Sequence, residues 1–125
     1  MSTIKVDNLQ TTGGAGLYPA KAWVNFNGTG TVAIRDDENV SSITDISTGR
    51  YTTNITNAMV NANYEASGSA GNTSTTTSNE LIVYGSNVTP TAPTTTAIGN
   101  KIITSNATVI VDTTYVTLSA HGQLA

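Results

Sequence analysis

The chain has 125 residues, enough for one domain with a core of its own. Only 10% of the residues are charged, against roughly 25% in a typical soluble domain, and the net charge is −3. Lys5, Lys21, Arg35, Arg50 and Lys101 lie far apart, which excludes a basic stripe for nucleic acid or anionic lipid, and the absence of cysteine excludes disulfides and thiolate chemistry.

Thr, Ser and Asn stand where the charges are missing. Thr suits a pleated sheet, whereas Ser, Thr and Asn compete with a helix backbone for hydrogen bonds. No apolar run approaches the roughly 20 residues of a membrane helix. The start, Met1 to Asp7, lacks the charged-then-apolar layout of a signal peptide. The expectation is a protein that does not insert into membranes.

In chain order, residues 1–17 read as an N-terminal attachment arm and a Gly-rich linker. The arm carries one short apolar alternation, Ile4, Val6 and Leu9, as its candidate contact residues. Residues 18–125 read as the β domain. Ala22 to Asn27 alternates, with Ala22, Val24 and Phe26 on one face and Trp23, Asn25 and Asn27 on the other. Thr31 to Arg35 continues the strand pattern, and Asn27-Gly28-Thr29-Gly30 between them predicts a hairpin. A second hairpin is predicted at Ser47-Thr48-Gly49, between Val40 to Ile46 and Arg50 to Thr56, with Tyr51, Thr53 and Ile55 sharing a face.

Asn61 to Ala66 reads as a further strand, with Ala62, Tyr64 and Ala66 in phase. Ser67 to Asn79 holds almost nothing that can be buried and reads as a surface loop. Leu81 to Tyr84 resumes strand character, and Asn87 to Thr96, with Pro90 and Pro93, reads as irregular or an edge. Gly99-Asn100 is a candidate hairpin turn between Ala97-Ile98 and Lys101 to Ile103. Thr108 to Asp112 and Tyr115 to Ala120 complete roughly seven to nine strands, an antiparallel β-sandwich or barrel-like domain.

Chemistry is sparse. The only histidine, His121, lies near the C-terminus, and no nucleophile elbow, phosphate-binding loop or metalloprotease motif occurs. No catalytic residue, cofactor or metal is assigned, and an enzyme is not expected. Asp36-Asp37-Glu38-Asn39 is the one dense group of oxygen ligands; a solvated turn is preferred to structural calcium, because the residues are consecutive and not spaced as in a ligand loop. Asp45 and Asp112 would join such a site only if the fold brought them close. Asn-x-Ser/Thr begins at Asn27, Asn39, Asn54, Asn72, Asn87 and Asn106, a pattern that this composition produces by chance. Most aromatics fall within predicted strands and read as core or interface; Tyr18 and Tyr84, near turns, are the candidates for exposure.

The segment Ala22-Trp23-Val24-Asn25-Phe26-Asn27-Gly28-Thr29-Gly30-Thr31-Val32-Ala33-Ile34-Arg35 resembles a module of bacteriophage tail-fibre and related virion proteins, of the cyanophage and marine phage type. Asn39 to Asp45, Thr48 to Thr52, Ala58-Met59 and Ala62-Asn63-Tyr64 continue the resemblance, which is strongest from Lys21 to Tyr64. Ile4 to Gln10 resembles the lead-in to that module, and Thr114 to Leu118 its last strand. The family has small or polar residues where this chain has Asp36-Asp37-Glu38.

The resemblance implies a non-enzymatic structural protein in the virion, on the tail or head surface. It implies a homotrimer around a fibre axis, with tail, baseplate or capsid proteins as partners and host cell-surface glycan as a further one. Asn72, Tyr84 and Asn87 are the candidate exposed tip, and Met59, Val60 and Leu81 to Tyr84 the candidate subunit interface. Arm plus module, without a long shaft, fits a short fibre; a capsid decoration or head-fibre protein is the alternative.

Overall fold

The structure is a computed structural model that describes residues 2–3, 10–14, 19–72, 79–83, 92–104 and 109–125. Among them it holds eight strands and no helix. Strands β1 (Ala22–Asn27), β2 (Ala33–Glu38), β5 (Glu65–Gly71) and β8 (Tyr115–His121) form one sheet in the order β2-β1-β8-β5. Strands β3 (Val40–Ser47), β4 (Arg50–Ile55), β6 (Asn79–Val83) and β7 (Ala97–Thr104) form the other, in the order β3-β4-β7-β6. Every pairing is antiparallel.

Alternation along the two central strands of each sheet builds the core. Ala22, Val24 and Phe26 of β1 and Val116, Leu118 and Ala120 of β8 face Tyr51 and Ile55 of β4 and Ile98 and Ile102 of β7. Phe26 and Tyr51 meet edge to face, with ring centroids 5.2 Å apart. The core thus lies between two sheets, as in a β-sandwich. Met59 and Tyr64, from the connection between β4 and β5, close one end of it. That connection is tied to the C-terminus, where Val60 N donates to Gln123 O and Ala125 N to Ala58 O.

The first hairpin joins β1 to β2, but its positive φ falls at Gly30, at 61°, and not at the Asn-Gly step. Asn27 instead forms a side-chain turn, its Oδ1 accepting from Thr29 Oγ1 at 2.8 Å. The second hairpin joins β3 to β4 through Thr48-Gly49. Gly49 has φ of 63°, and a Cβ there would lie 2.5 Å from Val111 O, so both backbone and space demand glycine.

Strands β2 and β3 are one extended run bent at Asn39, which leaves the first sheet and enters the second. Asn39 has φ of 57°, a left-handed value that Asn tolerates better than other side chains. Its Nδ2 donates to Lys21 O at 2.9 Å and Asn57 O at 3.1 Å, and its Oδ1 accepts from Asn57 N at 2.7 Å. One side chain therefore pins the corner to both neighbouring segments.

Several expectations are corrected. Asp36, Asp37 and Glu38 are not a turn; they lie in β2, opposite Asn25, Val24 and Trp23. Gly99 and Asn100 do not close a hairpin, because β7 runs straight through them and both are buried. Ser67 to Gly71 is strand, not loop: β5 pairs with β8 throughout. A Cβ at Gly68 would collide with Thr117 O and lie 2.6 Å from Leu81 Cδ2, so the small residues here let β5 and β6 close together. Asn61 to Tyr64 is not strand, and of residues 109–112 only Ile110 forms a bridge, to Ile103. Met59 is a core residue and not an interface residue; Val60 beside it is exposed.

Candidate functional site

The outer face of the first sheet carries ordered cross-strand rows of side chains. Side chains that alternate out of the core fall into cross-strand rows by register. Trp23 of β1 lies beside Ser119 of β8, which lies beside Ser67 of β5. The next row is Asn25, Thr117 and Ser69, with the Ser69 and Thr117 hydroxyls 2.9 Å apart. His121 opposes Glu65, its Nδ1 3.1 Å from Glu65 Oε2. This pair is well exposed, so its contribution to stability is small.

Trp23 remains 36% exposed, and a groove of about 450 Å³ opens beside it. Its outward side chains are Trp23, Asn25, Ser67, Thr117, Ser119 and His121. Val24 and Leu118 also line it, but their side chains belong to the core, so they contribute backbone to its floor. At the far end of β8, the Arg35 guanidinium stacks 4.6 Å from the Tyr115 ring centroid. It also donates to Asn25 Oδ1 at 3.2 Å and Thr114 O at 2.6 Å.

A second polar cluster is internal. The Tyr51 hydroxyl lies 2.7 Å from Gly28 O and 2.8 Å from Asp112 Oδ1, so its one proton is shared between two acceptors. Asp112 Oδ1 also accepts from Gly49 N at 2.6 Å. Burial, then the hydrogen bond to Asp112 and its charge, push the Tyr51 phenol well above its ordinary value. The arrangement ties both hairpin turns to the segment before β8. It makes Tyr51 a buried hydrogen-bond donor between the two turns.

Of the candidate tip residues, Asn72 is exposed, and its Oδ1 accepts from Thr114 Oγ1 at 3.0 Å. Tyr84 and Asn87 lie outside the described residues, as do Ile4, Val6 and Leu9 of the arm, and Tyr18. Among the described residues no group of three or more acidic or imidazole side chains converges to hold a metal. Successive strand residues point to opposite faces, which separates Asp37 from Asp36 and Glu38. Asp112 is engaged with Tyr51 and Gly49. The Asn27, Asn39 and Asn54 amide nitrogens each donate hydrogen bonds within the fold.

Sequence alternation places Trp23 and Asn25 outward. That Thr117, Ser119 and Ser67 stand beside them depends on β1 and β5 flanking β8, strand pairings far apart in sequence that carry no local signal. No protein-family model, curated protein or solved structure matches the chain at a significant level.

Proposed function

We propose that the chain is a non-enzymatic structural subunit of a bacteriophage particle, a short tail fibre or fibre-like protein that self-associates as a trimer. Residues 1–17 are its attachment arm, and tail, baseplate or capsid proteins its partners. The resemblance from Lys21 to Tyr64 supports this reading, and in the fold that stretch runs through β1 to β4 and the connection that closes the core.

The observation that carries self-association is the bent edge formed by β2 and β3. Among the described residues both are outermost strands, so each has one side that no described strand pairs. The β2 half carries Asp36, Asp37 and Glu38, which repel a second copy. The β3 half carries Ser41, Ser42, Thr44 and Ser47 with a single acid, Asp45, and Ile46 exposed. Of this bent edge the β3 half is the better suited to pairing, and in a threefold ring each β3 would pair with a different edge of the next subunit, burying two edges per chain.

Light scattering on the purified chain tests this. The expected mass is that of three 12.9 kDa chains, stable on dilution. A clean monomer removes the premise of a fibre. Replacing Asp36, Asp37 and Glu38 together with Thr is expected to open the guarded half. Assemblies larger than the wild type should then appear in sedimentation, while unfolding shifts by no more than about 1 kcal/mol, because Asp36 and Glu38 are exposed and Asp37 is half-buried at the edge of the sheet.

A further inference from the structure

We infer that Asn27 is a deamidation site that the native first hairpin keeps closed and that loss of the hairpin opens. Asn27-Gly28 is the only Asn-Gly step in the chain. The chemistry needs these two residues and water. The Gly28 amide nitrogen gives up its proton and attacks Asn27 Cγ. A C–N bond forms, the Cγ–Nδ2 bond breaks, and ammonia leaves with the proton. Water then opens the cyclic imide at either carbonyl, giving aspartate or isoaspartate. Glycine after Asn favours the attack, because no side chain obstructs the nitrogen and the backbone reaches the required geometry freely.

The fold requires this reactive step. Gly28 does not have a positive φ; space is what demands glycine there, since a Cβ would lie 2.7 Å from the Tyr51 hydroxyl oxygen and 3.0 Å from Thr113 O. Asn27 is required by its side-chain turn. Its Oδ1 accepts from Thr29 N at 3.2 Å and Thr29 Oγ1 at 2.8 Å, and its Nδ2 donates to Thr29 O at 3.2 Å.

The same contacts restrain both reacting groups. Gly28 is buried, and its N–H donates to Thr113 O at 2.9 Å, so the proton that must leave is engaged and shielded from base. Gly28 O accepts from the Tyr51 hydroxyl at 2.7 Å, which fixes the following peptide. The Asn27 carboxamide is turned toward Thr29. Attack requires these bonds to release together, so its rate follows the population of the opened hairpin. The isoaspartate product cannot rebuild the turn. It routes the main chain through Cβ and Cγ, one methylene longer, where Gly28 already has no room against Tyr51 and Thr113. Deamidation therefore marks chains that have opened and removes them from those able to refold.

Mass spectrometry tests this on the wild-type chain, held at neutral pH either folded or in concentrated urea. Trypsin releases Asn27 within residues 22–35, and fragmentation separates it from Asn25, which precedes Phe26 and serves as the internal reference. Conversion of amide to acid at Asn27 is expected to be about a hundredfold slower, or more, in the folded chain. Tyr51→Phe, which deletes the bond to Gly28 O, should speed conversion in the folded protein about fivefold or more and leave the rate in urea unchanged. On dilution from urea, isoaspartate-bearing chains should be missing from the folded fraction, whereas Asn27→Asp, with its backbone intact, should fold. Three results overturn the inference: conversion at Asn27 in the folded chain within about twofold of that in urea, conversion in urea no greater than at Asn25, or isoaspartate-bearing chains recovered folded in proportion to their abundance.

Discussion

Tyr51→Ala is expected to destabilise the fold by about 3–5 kcal/mol, a large part of the total for a domain of this size. The ring sits at the centre of the core, fully buried and edge-on to Phe26, so truncation leaves a cavity between the sheets. Tyr51→Phe keeps the ring and isolates the hydroxyl. It should cost about 1–3 kcal/mol, because Gly28 O and Asp112 Oδ1 lose their shared donor in a buried setting. Urea unfolding of the two variants separates packing from hydrogen bonding.

The same residue sets the response to alkali. Its phenol is raised above the ordinary value of 10.0 in the folded state, chiefly by burial. The neutral form is therefore favoured by folding. The stabilisation is fully present below pH 10 and is lost as pH rises beyond it, because the unfolded chain releases a proton that the folded chain holds. Wild-type stability should fall steeply above that pH, and Tyr51→Phe should fall less steeply. Equal slopes would show that the Tyr51 environment differs from the one described.

Asn39→Ala is expected to cost about 2–4 kcal/mol, although the residue belongs to neither sheet's interior. Two effects add. Alanine is strained at φ of 57°, and the bonds to Lys21 O, Asn57 O and Asn57 N disappear together. Asn39→Gly relieves the first effect and not the second, so it should cost about 1–2 kcal/mol less than Ala. A glycine variant as unstable as the alanine variant would assign the whole role to the side chain. Denaturation midpoints at constant m-value measure the difference.

These two residues show what the sequence makes legible. Tyr51 follows from the alternation of Tyr51, Thr53 and Ile55 after a Thr-Gly turn, a local signal that places all three inward. Its partners do not follow, because Asp112 lies 61 positions away and an isolated Asp reads as solvated. Asn39 was legible as polar and turn-like, but the acidic run before it suggested a solvated loop. The fold instead places that run on an edge strand, where charge is tolerated and useful.

Gly99 and Asn100 misled for the opposite reason. Gly and Asn are turn residues, yet here they sit in the central strand β7. Asn100 Nδ2 is satisfied by Thr53 Oγ1 at 3.2 Å, and Ile98 and Ile102 on the same face are buried. Ser67 to Gly71 misled because small side chains look unburiable. Their smallness is what lets Leu81 pack over Gly68. In both places tertiary pairing overrides local preference.

The outward Trp23 was legible as an alternation phase. Its surroundings were not, since β1, β8 and β5 are brought together only by long-range pairing. β2 and β3, which are consecutive in sequence, likewise end in different sheets because the chain bends at Asn39.

Particle labelling tests the central claim most directly. Antibody raised against the purified chain should decorate phage particles produced from the genome that encodes it, and gold label at the tail is the result the account predicts. Label on the icosahedral shell would make the chain a head-fibre or decoration protein and move its attachment to the capsid. Particles that carry neither label nor peptides of this chain by mass spectrometry would contradict a structural role in the virion.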